Sequence, residues 1–594
     1  MIVRVVKKFR SILSAHQKIR IAQLIILMVI GGILETVSVS MILPFMNMIM
    51  SPDKIINNFY IHKICIYLNI YDTKVFLVFM ALALALLYFF KNIYLVFEYN
   101  VQYRFVYGNM FAMQHQLLHN FIHKPYEYFL SVNSGEIIRI VNVDTPNTFA
   151  MLLSLLNLFT EIVVSAMLLI TVFFTAPDIT LIMAAVLAVL LLFMNMILKP
   201  RLKRAGVNYQ KASAGVNKWL LQSIQGIKEI KVMTKEGFFQ ENFDRQGSEC
   251  IKSLRKNQIY SIMPRFFIEA VCMGTMLIVI AGLIYNGLDL QSLIPMLTAV
   301  AMAAVRLLPA VNRISSFLAS ISYNEPMMDK LIENLKKITE KESADLGDAL
   351  ADSAAESRDG DVPVLERELK ASSVSFRYPK TKKCILNGAS MIIRYGESVG
   401  IVGESGAGKT TVVDIILGLL QPQEGGIYID GINIQCNIQA WMKQIGYIPQ
   451  SIFMLDDTIL ANVAFGIAQE DISVENVWRV LKEASLDKFV KTLPDTIYTQ
   501  IGERGVRLSG GQRQRIGIAR ALYLNPEILV FDEATSALDN KTESEIMESI
   551  NNLRGKKTMI IIAHRLTTLQ SCDRIYRVEN GYIKAEHDSG EHQE

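Results

Sequence analysis

The chain changes character near its middle. Before residue 325 long apolar runs recur, among them FLVFMALALALLYFF and ITLIMAAVLAVLLLFMNMIL, whereas beyond residue 365 there is none. A helix needs about 20 apolar residues to cross the hydrocarbon of a bilayer. Apolar windows predict six spans, near 21–49, 75–97, 147–175, 179–198, 260–286 and 291–320. Two intervening segments, 98–146 and 199–259, are too polar for a membrane and read as helices that continue the spans beyond it. Each is interrupted in a way that suits either a docking elbow or a plain bent loop. The first break is Lys124-Pro125-Tyr126-Glu127-Tyr128-Phe129 with a helix-start signal at Asn133-Ser134-Gly135-Glu136, and the second surrounds Gly226.

Segment 341–363, KESADLGDALADSAAESRDGDVP, is small, acidic and nearly free of large apolar residues, the composition of a flexible linker. From 366 onward, apolar strand-like runs alternate with helical stretches, which predicts an α/β sheet with phosphate binding at a strand end. The expected fold is therefore multidomain. Residues 1–325 form an all-α six-helix transmembrane domain with long cytoplasmic extensions, 326–365 a linker, and 366–594 an α/β nucleotide-binding domain with a short polar tail.

Charge sets the orientation. Lys199, Arg201, Lys203, Arg204, Lys211, Lys218, Lys228, Lys231 and Lys235 crowd between the fourth and fifth spans, while the turns Ala176-Pro177-Asp178 and Asn286-Gly287-Leu288-Asp289 carry no basic residue. Cytoplasmic flanks collect Lys and Arg, so both termini and the nucleotide domain are expected in the cytoplasm of a multi-pass protein of a cell membrane, such as a bacterial inner membrane. The first 34 residues lack Asp and Glu and carry Lys7, Lys8, Arg10, Lys18 and Arg20, as a basic amphipathic helix at the membrane interface would, with an organellar presequence as the alternative. The first span is too long for a signal-peptide core and is expected to be retained. At 51% hydrophobic residues the 594-residue chain is more apolar than a soluble enzyme, and its net charge of +4 gives no reason to expect nucleic acid. Cys65, Cys250, Cys272, Cys384, Cys436 and Cys572 show no ligand-like pairing and read as free thiols.

The chemistry lies in the second half. Gly403-Glu404-Ser405-Gly406-Ala407-Gly408-Lys409-Thr410 fits GxxxxGK[ST], between the strand-like ESVGIV and the helix-like TTVVDIILGLL that begins at Thr410 and Thr411. Its glycines let backbone N–H groups converge on phosphates, Lys409 reaches the β/γ oxygens of a nucleoside triphosphate, and Thr410 can hold Mg2+. Ile528-Leu529-Val530-Phe531-Asp532-Glu533 reads as a buried strand ending in two carboxylates, Asp532 for the Mg2+ shell and Glu533 to orient and deprotonate the attacking water. Leu508-Ser509-Gly510-Gly511-Gln512 opens the helical stretch RQRIGIARALYL, a second helix N-terminus ready for an anion.

LSGGQ between a GxxxxGK[ST] loop and an apolar strand ending in Asp-Glu resembles the signature of ABC-type ATPases, and the six spans before it resemble an ABC exporter half-transporter. By that resemblance Tyr378 in FRYP stacks on adenine, Gln450 in GYIPQ touches Mg2+ and the membrane-domain contact, and His564 in IIIAHRL contacts the γ-phosphate. Ser536-Ala537-Leu538-Asp539 looks like the loop that crosses the dimer interface. The resemblance also implies that ATP lies between two nucleotide domains, the phosphate loop of one facing the LSGGQ of the other. A second half-transporter is then required, and complete site residues favour a homodimer.

The cargo must be read from ionisable residues in or near the spans: Glu35, Lys91, Glu161, Arg265, Glu269, Arg306 and Arg313. Each such charge at mid-membrane costs about 2.5–3.5 kcal/mol, so these residues are expected to face a cavity or a partner. Counted from the outer turns at 1.5 Å per residue, Lys91 and Arg306 come roughly 25–27 Å deep and Arg265 and Arg313 roughly 35 Å. The four cations suggest an anion-binding belt for a phosphate or pyrophosphate head group; pairing of Arg265 with Glu269 and snorkelling of the others are the alternatives. The text GGILETVSVSMILPFMNMI, the segment 51–73 and these basic residues are similar to PglK-type flippases of lipid-linked oligosaccharides. The resemblance implies ATP-driven flipping of a polyprenyl-pyrophosphate glycan or similar glycolipid among membrane lipids. A multidrug or lipid exporter is the alternative; a peptide exporter or a non-transport ABC ATPase fits less well.

Overall fold

The computed structural model describes residues 2–42, 45, 49, 72–173, 177–285, 309–336, 364–379, 381, 383–533, 548, 550–563 and 572–588. Two compact units emerge, Met1–Lys124 with Val132–Leu350, and Pro125–Ser131 with Ala351–Glu594.

The first unit is helical. α1 (Ile2–Ile12) buries Val5 and Phe9, one apolar stripe of an otherwise basic and exposed helix, as the acid-free N-terminus predicted. α2 (Ala15–Ser40) carries the first predicted span, and α3 (Thr73–Ile122) carries the second far beyond its polar boundary. The Asp72 carboxylate accepts from Lys74 N–H to start α3, and the helix stops two residues short of Lys124-Pro125 because proline disfavours α geometry in its predecessor. The six-residue α4 (Tyr126–Ser131) is the first predicted elbow and belongs to the second unit. Asn133 then caps α5 (Ser134–Arg139), its side chain accepting from Gly135 N–H at 2.8 Å.

A π-turn at Ile140–Asp144 leads into α6 (Thr145–Phe173), the third predicted span. α7 (Pro177–Gln225) and α9 (Glu236–Tyr285) hold the fourth and fifth and pack against each other, with α8 (Ile227–Val232) after Gly226 forming the second elbow. Helix α10 is described from 309 to 336, so most of the sixth predicted span, Arg306 included, lies outside the described residues. Where α7 meets α10, a Cβ on Gly206 would stand 2.1 Å from the Tyr323 carbonyl, a close approach that only glycine permits. Among the described residues three stretches are long and apolar enough to cross a membrane: Ala15–Ser38, Lys74–Ile122 and Ser134–Ile170.

The second unit contains two sheets. The first is antiparallel in the order β2 (Leu386–Arg394), β1 (Glu368–Phe376), β4 (Glu424–Ile429), β5 (Ile432–Asn433). The second runs β10 (Tyr582–Asp588), β9 (Arg574–Glu579), β3 (Ser398–Val402), β8 (Thr558–Ile562), β7 (Ile528–Asp532), β6 (Ile445–Ile448). Its five strands from β9 to β6 are parallel, and β10 is antiparallel to β9. All five residues of β7 and of β8 are buried, which explains why they read as unbroken apolar runs rather than as alternation. Phosphate-loop chemistry accordingly falls at the C-terminal ends of β3 and β7, where such sheets open a crevice.

Candidate nucleotide-binding site

β3 ends at Val402 and the chain turns through Gly403 (φ 155°), Gly406 (φ 81°) and Gly408 (φ 107°) into α11 (Lys409–Ile416). A Cβ at Gly403 would lie 2.4 Å from the Val578 carbonyl and one at Gly408 3.0 Å from Ile385, so the loop is shaped by what glycine lacks. Lys409 is 5% exposed and its Nζ donates to the carbonyls of Gly403 (2.9 Å) and Glu404 (3.0 Å), holding the loop curled over its own ammonium. Ala407 N–H donates to the Glu404 carbonyl, closing the same turn around Ser405 and Gly406. Trp441, fully buried, donates from Nε1 to the Ile416 carbonyl at 2.7 Å and fixes the far end of α11.

Beside this cradle stand two carboxylates at the end of β7. Asp532 is 7% exposed and accepts from the Tyr447 hydroxyl at 3.4 Å; burial, then the charge of Glu533, raises its carboxyl above the ordinary range. Glu533 has φ 50°, a left-handed conformation that costs a non-glycine residue about 1–2 kcal/mol, and its N–H donates to the Ile562 carbonyl of β8. Gln450, just beyond β6, donates from Nε2 to Glu533 Oε2 at 2.6 Å. That bond occupies the amide nitrogen and leaves the Gln450 amide oxygen as an acceptor.

Oxygen donors fit Mg2+. Thr410 sits exposed at the first turn of α11, and with Asp532 and the free oxygen of Gln450 it makes an all-oxygen donor set of the kind a hard cation prefers. Thr411 is buried and its hydroxyl is 3.0 Å from that of Tyr378, whose ring meets Phe376 edge-on at 5.1 Å. Tyr378, expected to stack on adenine, is thereby tied to the first turn of the phosphate-loop helix.

Ser509 caps α13 (Gly510–Tyr523) through a reciprocal box, its Oγ accepting from Gln512 N–H (3.3 Å) while its own N–H donates to Gln512 Oε1 (2.8 Å). The Ser509 hydroxyl proton and the N–H groups of Gly510 and Gly511 are presented at the N-terminus of a 14-residue helix, where an anion is favoured. Arg520, later on α13, donates to the carbonyls of Phe453 and Asn462, and burial lowers its pKa to about 10. Asn462, on the buried short helix α12 (Ile459–Val463), also brackets Leu455, so α13 is bound to the segment that follows Gln450. His564 and Ser536-Ala537-Leu538-Asp539 lie outside the described residues.

Asp414 escaped the sequence reading although it interrupts the apolar TTVVDIILGLL. It is buried on α11, and burial together with the charge of Asp532 lifts its pKa to about 6. Cys250, Cys384, Cys436 and Cys572 are free thiols.

In the first unit the ionisable residues are only partly free. Arg313 donates from Nε and Nη2 to the two oxygens of Glu161, at 2.8 Å each, a bidentate pair. Lys91 is 9% exposed, with Nζ 5.1 Å from the Tyr88 ring centre. Arg265 and Glu269 are exposed on α9, and among the described residues no ion pair joins them. Glu98, one residue past the predicted second span, is 2% exposed with Oε2 unpartnered, and a Cβ added at Gly31 would stand 2.1 Å from that oxygen. The window ending at 97 is what hid it.

Residues 386–536 match the family described as ABC transporter, and residues 26–305 match the ABC transporter transmembrane region. The chain is 30% identical over 495 residues to an ATP-dependent lipid A-core flippase of Cupriavidus pinatubonensis, covering 82% of this chain and 80% of that protein. It is also 30% identical over 479 residues to a multidrug resistance ABC transporter ATP-binding and permease protein of Lactococcus lactis, covering 80% and 77%. A solved bacterial Atm1-family ABC exporter with ATP bound superposes with a TM-score of 0.73 over 96% of this chain and 95% of that one, at 22% identity, which speaks to the fold. The chain belongs to the ABC transporters: it is an exporter half-transporter, a multi-pass membrane domain fused to an ATPase domain that couples ATP hydrolysis to transport.

Proposed function

We propose that two copies of this chain form an ATP-driven flippase that moves an anionic lipid-linked glycan, of the polyprenyl-pyrophosphate or a related glycolipid class, out of the cytoplasmic leaflet of a bacterial inner membrane. The observation that carries the cargo reading is the set of cations on the spanning helices, Lys91 and Arg265 among the described residues, with Arg306 added from the sequence. Such charges are expensive in hydrocarbon unless they serve a cavity or a partner. The similarity to a lipid A-core flippase supports the same class.

At the ATP site, Lys409 and the N–H groups of the glycine loop hold the β/γ-phosphate oxygens. Ser509 with Gly510 and Gly511 of the second copy close on the γ-phosphate from the other side. Bound Mg2+ would neutralise phosphate charge, held by Thr410, Gln450 and Asp532. Glu533 accepts the proton of the attacking water, His564 supports the γ-phosphate, and Tyr378 supports the base.

A second reading has its own support. The multidrug relative is equally similar, and the Arg313–Glu161 pair together with Glu35 and Glu98 makes the spanning region less basic than the sequence alone suggests. ATPase activity in nanodiscs, measured with a polyprenyl-pyrophosphate glycan and with a multidrug panel, separates the two. Stimulation by the glycan lipid that disappears in Arg265→Ala/Arg306→Ala supports the flippase; stimulation by drugs alone replaces it with a multidrug exporter.

A further inference from the structure

A cavity of about 520 Å3 opens in the first unit between α1, the first turns of α2 and the middle of α6. Twelve of its fourteen lining residues are apolar, Phe9, Leu155 and Phe159 among them; the other two are Arg10 and Lys18. Both cations are exposed, and among the described residues neither makes an ion pair. Lys8, on the same helix as Arg10, pairs with Glu325 and Asp329 of α10 and so ties the α1 wall of the cavity to the helical unit.

Its position defines what meets it. The spanning stretch of α2 begins at Ala15, so Arg10 and Lys18 stand at the membrane–water boundary while Ile21, Ile25 and the α6 residues stand at acyl-chain depth. No Asp or Glu occurs in the first 34 residues or lines the cavity, and the carboxylates nearest on α10, Glu325 and Asp329, are paired with Lys8. We propose that this cavity seats the acyl chains of an anionic phospholipid of the cytoplasmic leaflet, with Arg10 and Lys18 holding its phosphate. None of the cations assigned to the cargo, Lys91, Arg265 and Arg306, lines this cavity.

The purified full-length protein, stripped of lipid in detergent and titrated with dioleoyl phosphatidylglycerol or dioleoyl phosphatidylcholine, is read by native mass spectrometry. Phosphatidylglycerol should be retained at one lipid per chain and in preference to phosphatidylcholine. Arg10→Ala/Lys18→Ala should weaken its binding by roughly thirty-fold, about 1 kcal/mol for each charge. Leu155→Trp, which projects an indole into the apolar part of the cavity and keeps both cations, should weaken retention of either lipid. Equal retention of the two lipids by the wild type would overturn the head-group assignment. Unchanged phosphatidylglycerol binding in both variants, or no retention because the second copy covers the cavity, would overturn the site.

Discussion

Gln450 Nε2 and Glu533 Oε2 lie 2.6 Å apart, so the residue that follows β6 holds the carboxylate that follows β7. A hydrogen bond to a charged group contributes about 1.5–3 kcal/mol. Gln450→Ala should therefore release Glu533 and lower kcat for ATP roughly ten- to a hundred-fold, while ATP affinity, which rests on the glycine loop, changes little. Steady-state ATPase beside equilibrium nucleotide binding checks this; equal losses in both would mean that Gln450 serves binding rather than positioning.

Gly403 has no room for a side chain: a Cβ would stand 2.4 Å from the Val578 carbonyl, backbone that cannot swing away. Gly403→Ala should shift the loop, lower Tm by several degrees and weaken ATP binding at least about tenfold. Nucleotide-dependent thermal stabilisation reports both effects.

The Arg313–Glu161 pair separates a structural from a cargo role. Glu161 is mostly buried, with its side chain 12% exposed, so Arg313→Ala leaves a carboxylate without its partner and should destabilise the membrane domain by about 1–3 kcal/mol. Glu161→Ala added to it should recover most of that loss. Recovery of stability together with glycan-stimulated ATPase would assign the pair to structure; recovery of stability alone would leave Arg313 a part in cargo handling.

Asp414 titrates near pH 6, raised from the usual carboxylate range by burial and by Asp532. A raised pKa means that the folded state prefers the neutral acid, so the associated stability is full below the ordinary carboxylate pKa and is lost as pH rises through about 6. Without Mg2+ or nucleotide, wild type should lose stability between pH 5 and pH 8 by on the order of 2 kcal/mol more than Asp414→Asn does. Melting curves of the two proteins at both pH values test it, and parallel pH dependence would remove Asp414 as the source.

The parts of this molecule that were legible in sequence are those with a local cause. Buried parallel strands read as apolar runs, the proline at 125 and the glycine at 226 broke helices where expected, and GxxxxGK[ST] and LSGGQ each name a strand–turn–helix or capped-helix geometry. What stayed hidden is pairing between distant elements. No spacing announces that Arg313 meets Glu161 across 152 residues, that Gln450 meets Glu533, or that Asp414 lies beside Asp532. Glu98 was lost to a window edge, since a polar residue at the end of an apolar run looks like its boundary until burial shows it inside.

ATP-dependent translocation of a fluorescent polyprenyl-pyrophosphate glycan in proteoliposomes, wild type against Glu533→Gln, addresses the account as a whole. The wild type should move the lipid between leaflets with ATP and Mg2+, and Glu533→Gln should bind ATP, remain in a closed dimer and lose translocation with ATPase by about a hundredfold or more. Undiminished ATP turnover in Glu533→Gln would contradict the assigned chemistry. Hydrolysis by the wild type with no movement of the glycan lipid, while drugs are transported, would contradict the assigned cargo.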